Sequence, residues 1–234
     1  NEFLLSDARI SATWLTLTGI LLSLGIYNLF VYFSVKQRSY LYYVGYIWSF
    51  AATLSLLSGQ AYQVLWPETA AGNAFLITCI TGITIFFFLR FIQWFLNTPA
   101  YAPTLYSIGS FLSIIALGIA FFPLFLKVNF SYFNNLFIMI CASYVVVLAY
   151  RCLMTKSPLV YYFIGASFCM IFGSVLYALA NFKVIPQSLL TEYAMPVGAI
   201  IEAILLSLGL AYHVKKDRYQ RYLALKEQHK TALK

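Results

Sequence analysis

Charge is scarce in this chain. Asp, Glu, Lys and Arg supply 9% of its 234 residues, against 62% hydrophobic residues. Soluble domains carry roughly 25% charged residues, so a water-soluble globular fold is excluded. A mean hydropathy of +0.81 places the chain among polytopic membrane proteins. Cysteine is sparse too. Cys79, Cys141, Cys152 and Cys169 fall in apolar runs without metal-ligand spacing and read as small core residues. No metal or cofactor is expected. Enzyme signatures are missing: there is no HExxH, no Gly-x-Ser-x-Gly and no glycine-rich phosphate loop, so this chain is not read as catalytic. An initiator Met and a signal peptide are lacking as well, and we expect a piece of a longer protein.

What is present is apolar sequence in long runs. A hydrocarbon core of about 30 Å needs about 20 apolar residues per helix. Seven segments qualify: Ile10–Phe33, Tyr40–Leu65, Asn73–Leu96, Thr104–Leu126, Tyr132–Met154, Leu159–Asn181 and Tyr193–Val214. Short separators rich in Asn, Gly, Pro and Lys divide them. Pro103 and Pro158 fall at or just before helix starts, where a missing N–H is harmless. The expected fold is therefore an all-α bundle of seven transmembrane helices. Residues 1–9 form an extracytoplasmic juxtamembrane segment, 10–214 the bundle and 215–234 a basic cytoplasmic helix.

The distribution of positive charge sets the orientation. Of the 15 Lys and Arg, twelve lie at one set of helix ends or beyond the last helix. Arg9, Lys127 and Lys183 lie at the other set, together with the acids Glu2, Asp7, Glu68 and Glu192. The N-terminus is thus expected outside and the C-terminus in the cytoplasm, in the inner membrane of a bacterium. The formal charge of +8 reflects this topology, and no nucleic-acid partner is expected. Aromatic residues make up 19% of the chain, as many water–lipid boundaries require. Trp14, Trp66 and Trp94 sit near helix ends like belt residues, whereas Trp48 is placed in the core.

Glu202 is the exception in PVGAIIEAILLSLGLAYHVKKD, the last apolar run. It lies nine residues from one end, about 13 Å deep at 1.5 Å per residue. Ionisable groups at that depth are costly and face the bundle interior. Gly198, Ala199 and Gly209 on its face imply a closely packed neighbouring helix. Three roles compete for Glu202: a hydrogen-bonded carboxyl that knits helices together, a sensing switch, or a station on an ion path. Asn28, Arg90 and Arg151 are its candidate network partners, although both arginines also suit snorkelling to headgroups. Ser58, Tyr62, Gln63, Tyr177 and Asn181 mark a candidate pocket in the outer half. After Gly209 no Gly or Pro interrupts the chain, so the last helix is expected to leave the membrane unbroken. His213, Tyr219, Tyr222 and Leu225 lie on that output helix. A partial apolar seam there allows a homodimeric coiled coil, while the basic residues allow contact with anionic headgroups.

A retinal protein needs a lysine deep in its last helix, and this chain has Glu202 there. Eukaryotic G-protein-coupled receptors end their third span in Asp-Arg-Tyr or similar, where this chain has Leu89-Arg90-Phe91. Three motifs in order do resemble a family: Tyr27-Asn28-Leu29, Arg38-Ser39-Tyr40-Leu41-Tyr42-Tyr43, and Gly59-Gln60-Ala61-Tyr62-Gln63-Val64-Leu65-Trp66-Pro67. With Glu202 through Ala211, they look like the bacterial seven-transmembrane receptors with diverse intracellular signalling modules. The resemblance is carried mainly by the first two spans and the last. It implies a sensor core between an extracytoplasmic domain and a cytoplasmic effector in cis, such as a diguanylate cyclase, histidine kinase or phosphatase. A small molecule or the outer domain would supply the signal. Two other readings stand beside it: a small-solute or ion transporter using Glu202, and a membrane anchor that dimerises a fused enzyme.

Overall fold

The computed structural model describes residues 2–61, 71–126, 131–154 and 158–232. Among the described residues, nine helices are bounded and no strand occurs. They are α1 (Glu2–Val35), α2 (Arg38–Leu57), α3 (Ala71–Phe95), α4 (Thr98–Tyr101), α5 (Pro103–Leu126), α6 (Ser131–Leu153), α7 (Pro158–Asn181), α8 (Leu189–Glu192) and α9 (Ala194–Ala232). Pro103 and Pro158 open α5 and α7, as their missing N–H groups favour. α1 begins at Glu2, so the expected juxtamembrane segment is helical and joins the first span without a break.

Helix ends are set by left-handed residues. Lys36 follows α1 at φ 55°, Asn97 follows α3 at φ 51°, and Lys183 follows α7 at φ 58°. At the last, the Lys183 and Val184 amides turn back to the Ala180 and Leu179 carbonyls, closing the helix. The second span was expected to reach Leu65. Leu65 lies outside the described residues; within them α2 stops at Leu57, because Gly59 adopts φ 77° and turns the chain before helix resumes at Gln60. A Cβ at Gly59 would meet nothing within 4 Å among the described residues, so its cost is conformational. Gly59→Ala should therefore lower stability by about 1 kcal/mol. In a detergent melt that is a fall of about 2–4 °C; an unchanged midpoint would argue against the left-handed turn.

The long helices pack in a ring. α1 lies on α2, α2 on α3, and α3 on α5. α6 closes the gap between α5 and α7, α7 packs on α9, and α9 returns to α1 and also touches α2. The α7–α9 seam is tight. A Cβ on Gly198 would come within 2.7 Å of the Cys169 carbonyl oxygen, and one on Gly173 would strike the Ala194 carbonyl. Small residues let membrane helices approach this closely where lipid provides no hydrophobic drive between them.

Tyr43, Leu54, Phe91, Ile92, Phe95, Phe163, Leu206 and Leu210 fill the interior. Large apolar side chains such as Phe30, Phe111, Phe133, Met139 and Phe168 point outward, as suits a lipid surround. Among the described residues, six helices are long and apolar enough to cross a membrane: α1, α3, α5, α6, α7 and α9. α2 is missing from that set because it carries much of the polar interior. Its Ser39, Tyr40, Tyr43, Tyr46 and Thr53 are all buried.

Two tryptophan expectations are corrected. Trp14, expected at a lipid boundary, is buried with its edge on Tyr193 at 5.8 Å between ring centroids. It belongs to the inward stripe of α1 with Thr18, Leu21, Gly25 and Asn28, whose spacing of four and three follows the helical period. Trp48, expected in the core, is 37% exposed. It follows buried Ile47 by one residue, so it is turned about 100° from the inward arc. Its indole N–H reaches the Leu22 carbonyl at 3.4 Å, across the α1–α2 seam. Trp94, near the end of α3, lies beside a cation, with the Arg38 guanidinium 5.6 Å from its ring centroid. Trp66 lies outside the described residues.

Candidate functional site

Three helices meet at the Glu202 level of α9. The inward stripe of α1 carries Asn28, which is fully buried. Its Nδ2 donates to the Leu24 carbonyl at 2.8 Å, and its Oδ1 accepts from Ser207 Oγ of α9 at 3.1 Å. On α2, Tyr43 and Tyr46 are three residues apart and share the buried face. The Tyr46 hydroxyl donates to Glu202 Oε2 at 2.7 Å, while the Tyr43 hydroxyl donates to the Ala203 carbonyl. α9 is thus tied to both α1 and α2 within the six residues from Glu202 to Ser207, five steps or about 7.5 Å of helix.

The surroundings are aromatic. Tyr46 lies against Phe88 at 5.0 Å and Phe50 at 6.0 Å between ring centroids. Tyr43 contacts Phe91 at 5.0 Å, and Phe91 continues to Phe95 at 5.2 Å. A carboxyl enclosed in this way exchanges no hydrogen bonds with bulk water, so each protein partner counts for more than it would at a surface.

The structure does not bring Arg90 or Arg151 to Glu202. Arg90 donates from an Nη to Ser110 Oγ at 3.2 Å, linking α3 to α5. The reason is rotational: Leu89 and Phe91 on either side fill the core, which turns Arg90 away from α9. Arg151 is exposed near the end of α6. A separate polar junction holds α3, α5 and α6 together. Gln93 Nε2 donates to the Tyr106 carbonyl at 3.0 Å, and the Tyr144 hydroxyl donates to the Leu105 carbonyl at 2.9 Å.

At the end of the bundle where α9 begins, a cleft of about 340 Å³ opens between α1, α2, α7 and the α8 turn. Ser58, Tyr177 and Asn181, nominated from the sequence, all line it. Tyr62 and Gln63 lie outside the described residues. Gln60 is a further wall residue, buried and donating from Nε2 to the Ser11 carbonyl at 2.8 Å. Thr191 and Glu192 come from α8, whose first turn is closed by a reciprocal cap between Ser188 and Thr191.

Residues 10–213, the whole membrane bundle, match the 7TM diverse intracellular signalling family. This chain belongs to that family. It is the membrane domain of a signalling receptor, and the family's membrane domain is not itself catalytic. Searches of curated proteins and of solved structures return no match. For a 7TM signalling domain, the path away from the bundle is as informative as its interior. α9 runs for 39 residues without interruption, well past the end of its apolar stretch at Lys216. His213 is half-buried near the bundle, whereas Tyr219 and Tyr222 are exposed; Leu225 lies on the same helix. Beside the exit, Val31, Val35, Tyr40 and Val214 form a groove edged by Lys215 and Arg218.

Tyr43, Tyr46 and Ser207 are contacts that sequence reasoning missed. A signal was available for Tyr46: it lies eight residues inside α2, too deep for an interfacial belt residue. Gln60, Trp14 and Glu192 were missed for a different reason. They sit on three separate elements, and only the packed bundle makes them one wall.

Proposed function

We propose that this chain is the seven-helix core of a bacterial inner-membrane sensor. In this reading α2 is the seventh span, the N-terminus faces outward, and α9 delivers the signal to a cytoplasmic effector in cis. The observation that carries the reading is α9 itself. One unbroken helix starts two residues after the cleft residue Glu192, is gripped at Glu202 and Ser207, and continues to Ala232. The asymmetric distribution of Lys and Arg supports the orientation.

The mechanism follows from the stiffness of that rod. An event at the cleft shifts the start of α9 through α8. The glycine seam with α7 restricts tilting, so the helix moves mainly by sliding or turning. Tyr46–Glu202 and Asn28–Ser207 then hold one of two registers of similar energy, and the signal selects between them. A helix transmits such a shift along its length, and the exposed Tyr219 and Tyr222 present it to the effector or to a second copy of the chain.

Tyr219→Pro in the full-length receptor tests this. Proline removes a helical hydrogen bond and clashes with the preceding turn, at a cost of about 3 kcal/mol or more. Residue 219 lies beyond the apolar stretch, so the bundle should still fold. Stimulated effector output should fall to its basal level while the thermal midpoint of the bundle stays unchanged. Normal stimulated output would sink the rod mechanism.

A further inference from the structure

The cleft at the start of α9 has a chemistry of its own. Its wall includes one carboxylate, Glu192, and among the described residues no lysine or arginine. That composition is unusual in a chain of formal charge +8. Two aromatic side chains, Trp14 and Tyr177, stand in the same wall. Gln60 supplies the decisive observation. It is only 7% exposed and its Nε2 is committed to the Ser11 carbonyl, yet its Oε1 has no hydrogen-bond partner among the described residues. A buried amide oxygen left in this state costs roughly 1–3 kcal/mol, and what it lacks is a donor. A volume of about 340 Å³ suits a small organic molecule at the lower end of ligand sites.

We infer that this cleft binds a small protonated amine. Its ammonium group would donate to Gln60 Oε1 and pair with the Glu192 carboxylate, while its apolar body would rest against Trp14 and Tyr177. Aromatic faces attract cations as well as apolar surface, so the same wall serves both parts of the ligand. A carboxylate ligand is disfavoured, since it would meet Glu192 and an acceptor oxygen with no cation among the described wall residues to offset them. The inference names the ligand class for the input site of the receptor reading, and rests on that reading only for the consequence of binding.

Binding is measured on this chain in lipid nanodiscs by calorimetry, with tyramine and 4-hydroxyphenylacetate as a near-isosteric pair of opposite charge. Tyramine should bind saturably and the acid should not. Glu192→Gln and Gln60→Leu should each weaken tyramine by about tenfold or more. Glu192→Lys, a change at a partly exposed position, should reverse the preference and admit 4-hydroxyphenylacetate. That gain of binding cannot come from misfolding. The proposal is overturned by absence of saturable tyramine binding, by equal affinity for the two probes, or by affinities that the substitutions leave unchanged. No effector is present in the assay, so its result is separate from the Tyr219→Pro outcome: amine binding without signalling would leave this site standing and remove the receptor mechanism.

Discussion

Tyr46→Phe should destabilise the bundle and blunt its response to a stimulus. The change removes one oxygen and leaves Glu202 enclosed among aromatic rings without the 2.7 Å donor it has now. An average hydrogen bond between membrane helices contributes about 0.6 kcal/mol, because the unfolded helices also find partners in the membrane. A buried carboxyl without its partner is a larger effect, roughly 1–3 kcal/mol. A fall of about 3–10 °C in the detergent midpoint is expected. Glu202→Gln should behave differently, since its side-chain oxygen still accepts from Tyr46. It should cost little stability and yet alter the switching of output if the carboxyl itself carries the signal. The double variant Tyr46→Phe/Glu202→Leu should recover much of the loss, because two apolar partners leave nothing unsatisfied. A full double-mutant cycle decides the matter: additive losses would mean that the pair is not coupled.

Gly198→Ala should be harmful, and the same change at Gly165 should not be. Both positions are helical, and alanine is the better helix former by about 1 kcal/mol. At Gly165 an added methyl meets nothing within 4 Å among the described residues, so this gain should appear as a slightly raised midpoint. At Gly198 the methyl would lie 2.7 Å from the Cys169 carbonyl oxygen, and backbone has little freedom to yield. Overpacking of this kind costs about 1–3 kcal/mol, more than the propensity gain. Gly198→Leu should be worse still, pushing α9 off α7 and fixing the output in one state. Equal midpoints for the two alanine variants would show that the α7–α9 seam is looser than described.

These two tests fall on opposite sides of what could be read from the residues. That Gly198 faces a close neighbour was legible, because glycine and alanine at helical spacing around a membrane carboxyl have few other uses. The partner of that carboxyl was not legible. Asn28 and Arg90 were nominated by residue type and depth alone. Asn28 does meet α9, through Ser207, while Arg90 is turned toward α5. Depth can be counted along a helix, but rotation about its axis depends on which neighbours it packs against, and a difference of one residue is about 100°. The same rotation exchanged the expected places of Trp14 and Trp48. The break at Gly59 was overlooked because the apolar run continues beyond it. A positive φ is decided by a turn, and hydropathy carries no record of it.

The solvent, the helical class, the starts of α5 and α7 at their prolines, and the unbroken run of α9 past the apolar stretch could all be read from the residues alone. All of these follow from composition and local stereochemistry, which need no neighbour in space. Packing in three dimensions was needed to bring Tyr46 to Glu202 and Ser207 to Asn28, and to set Gln60, Trp14 and Glu192 around one cleft. Those contacts join residues up to 179 positions apart, and they depend on helix rotation and on ring order. In lipid every outward face is apolar in much the same way, so neither can be read from hydrophobicity.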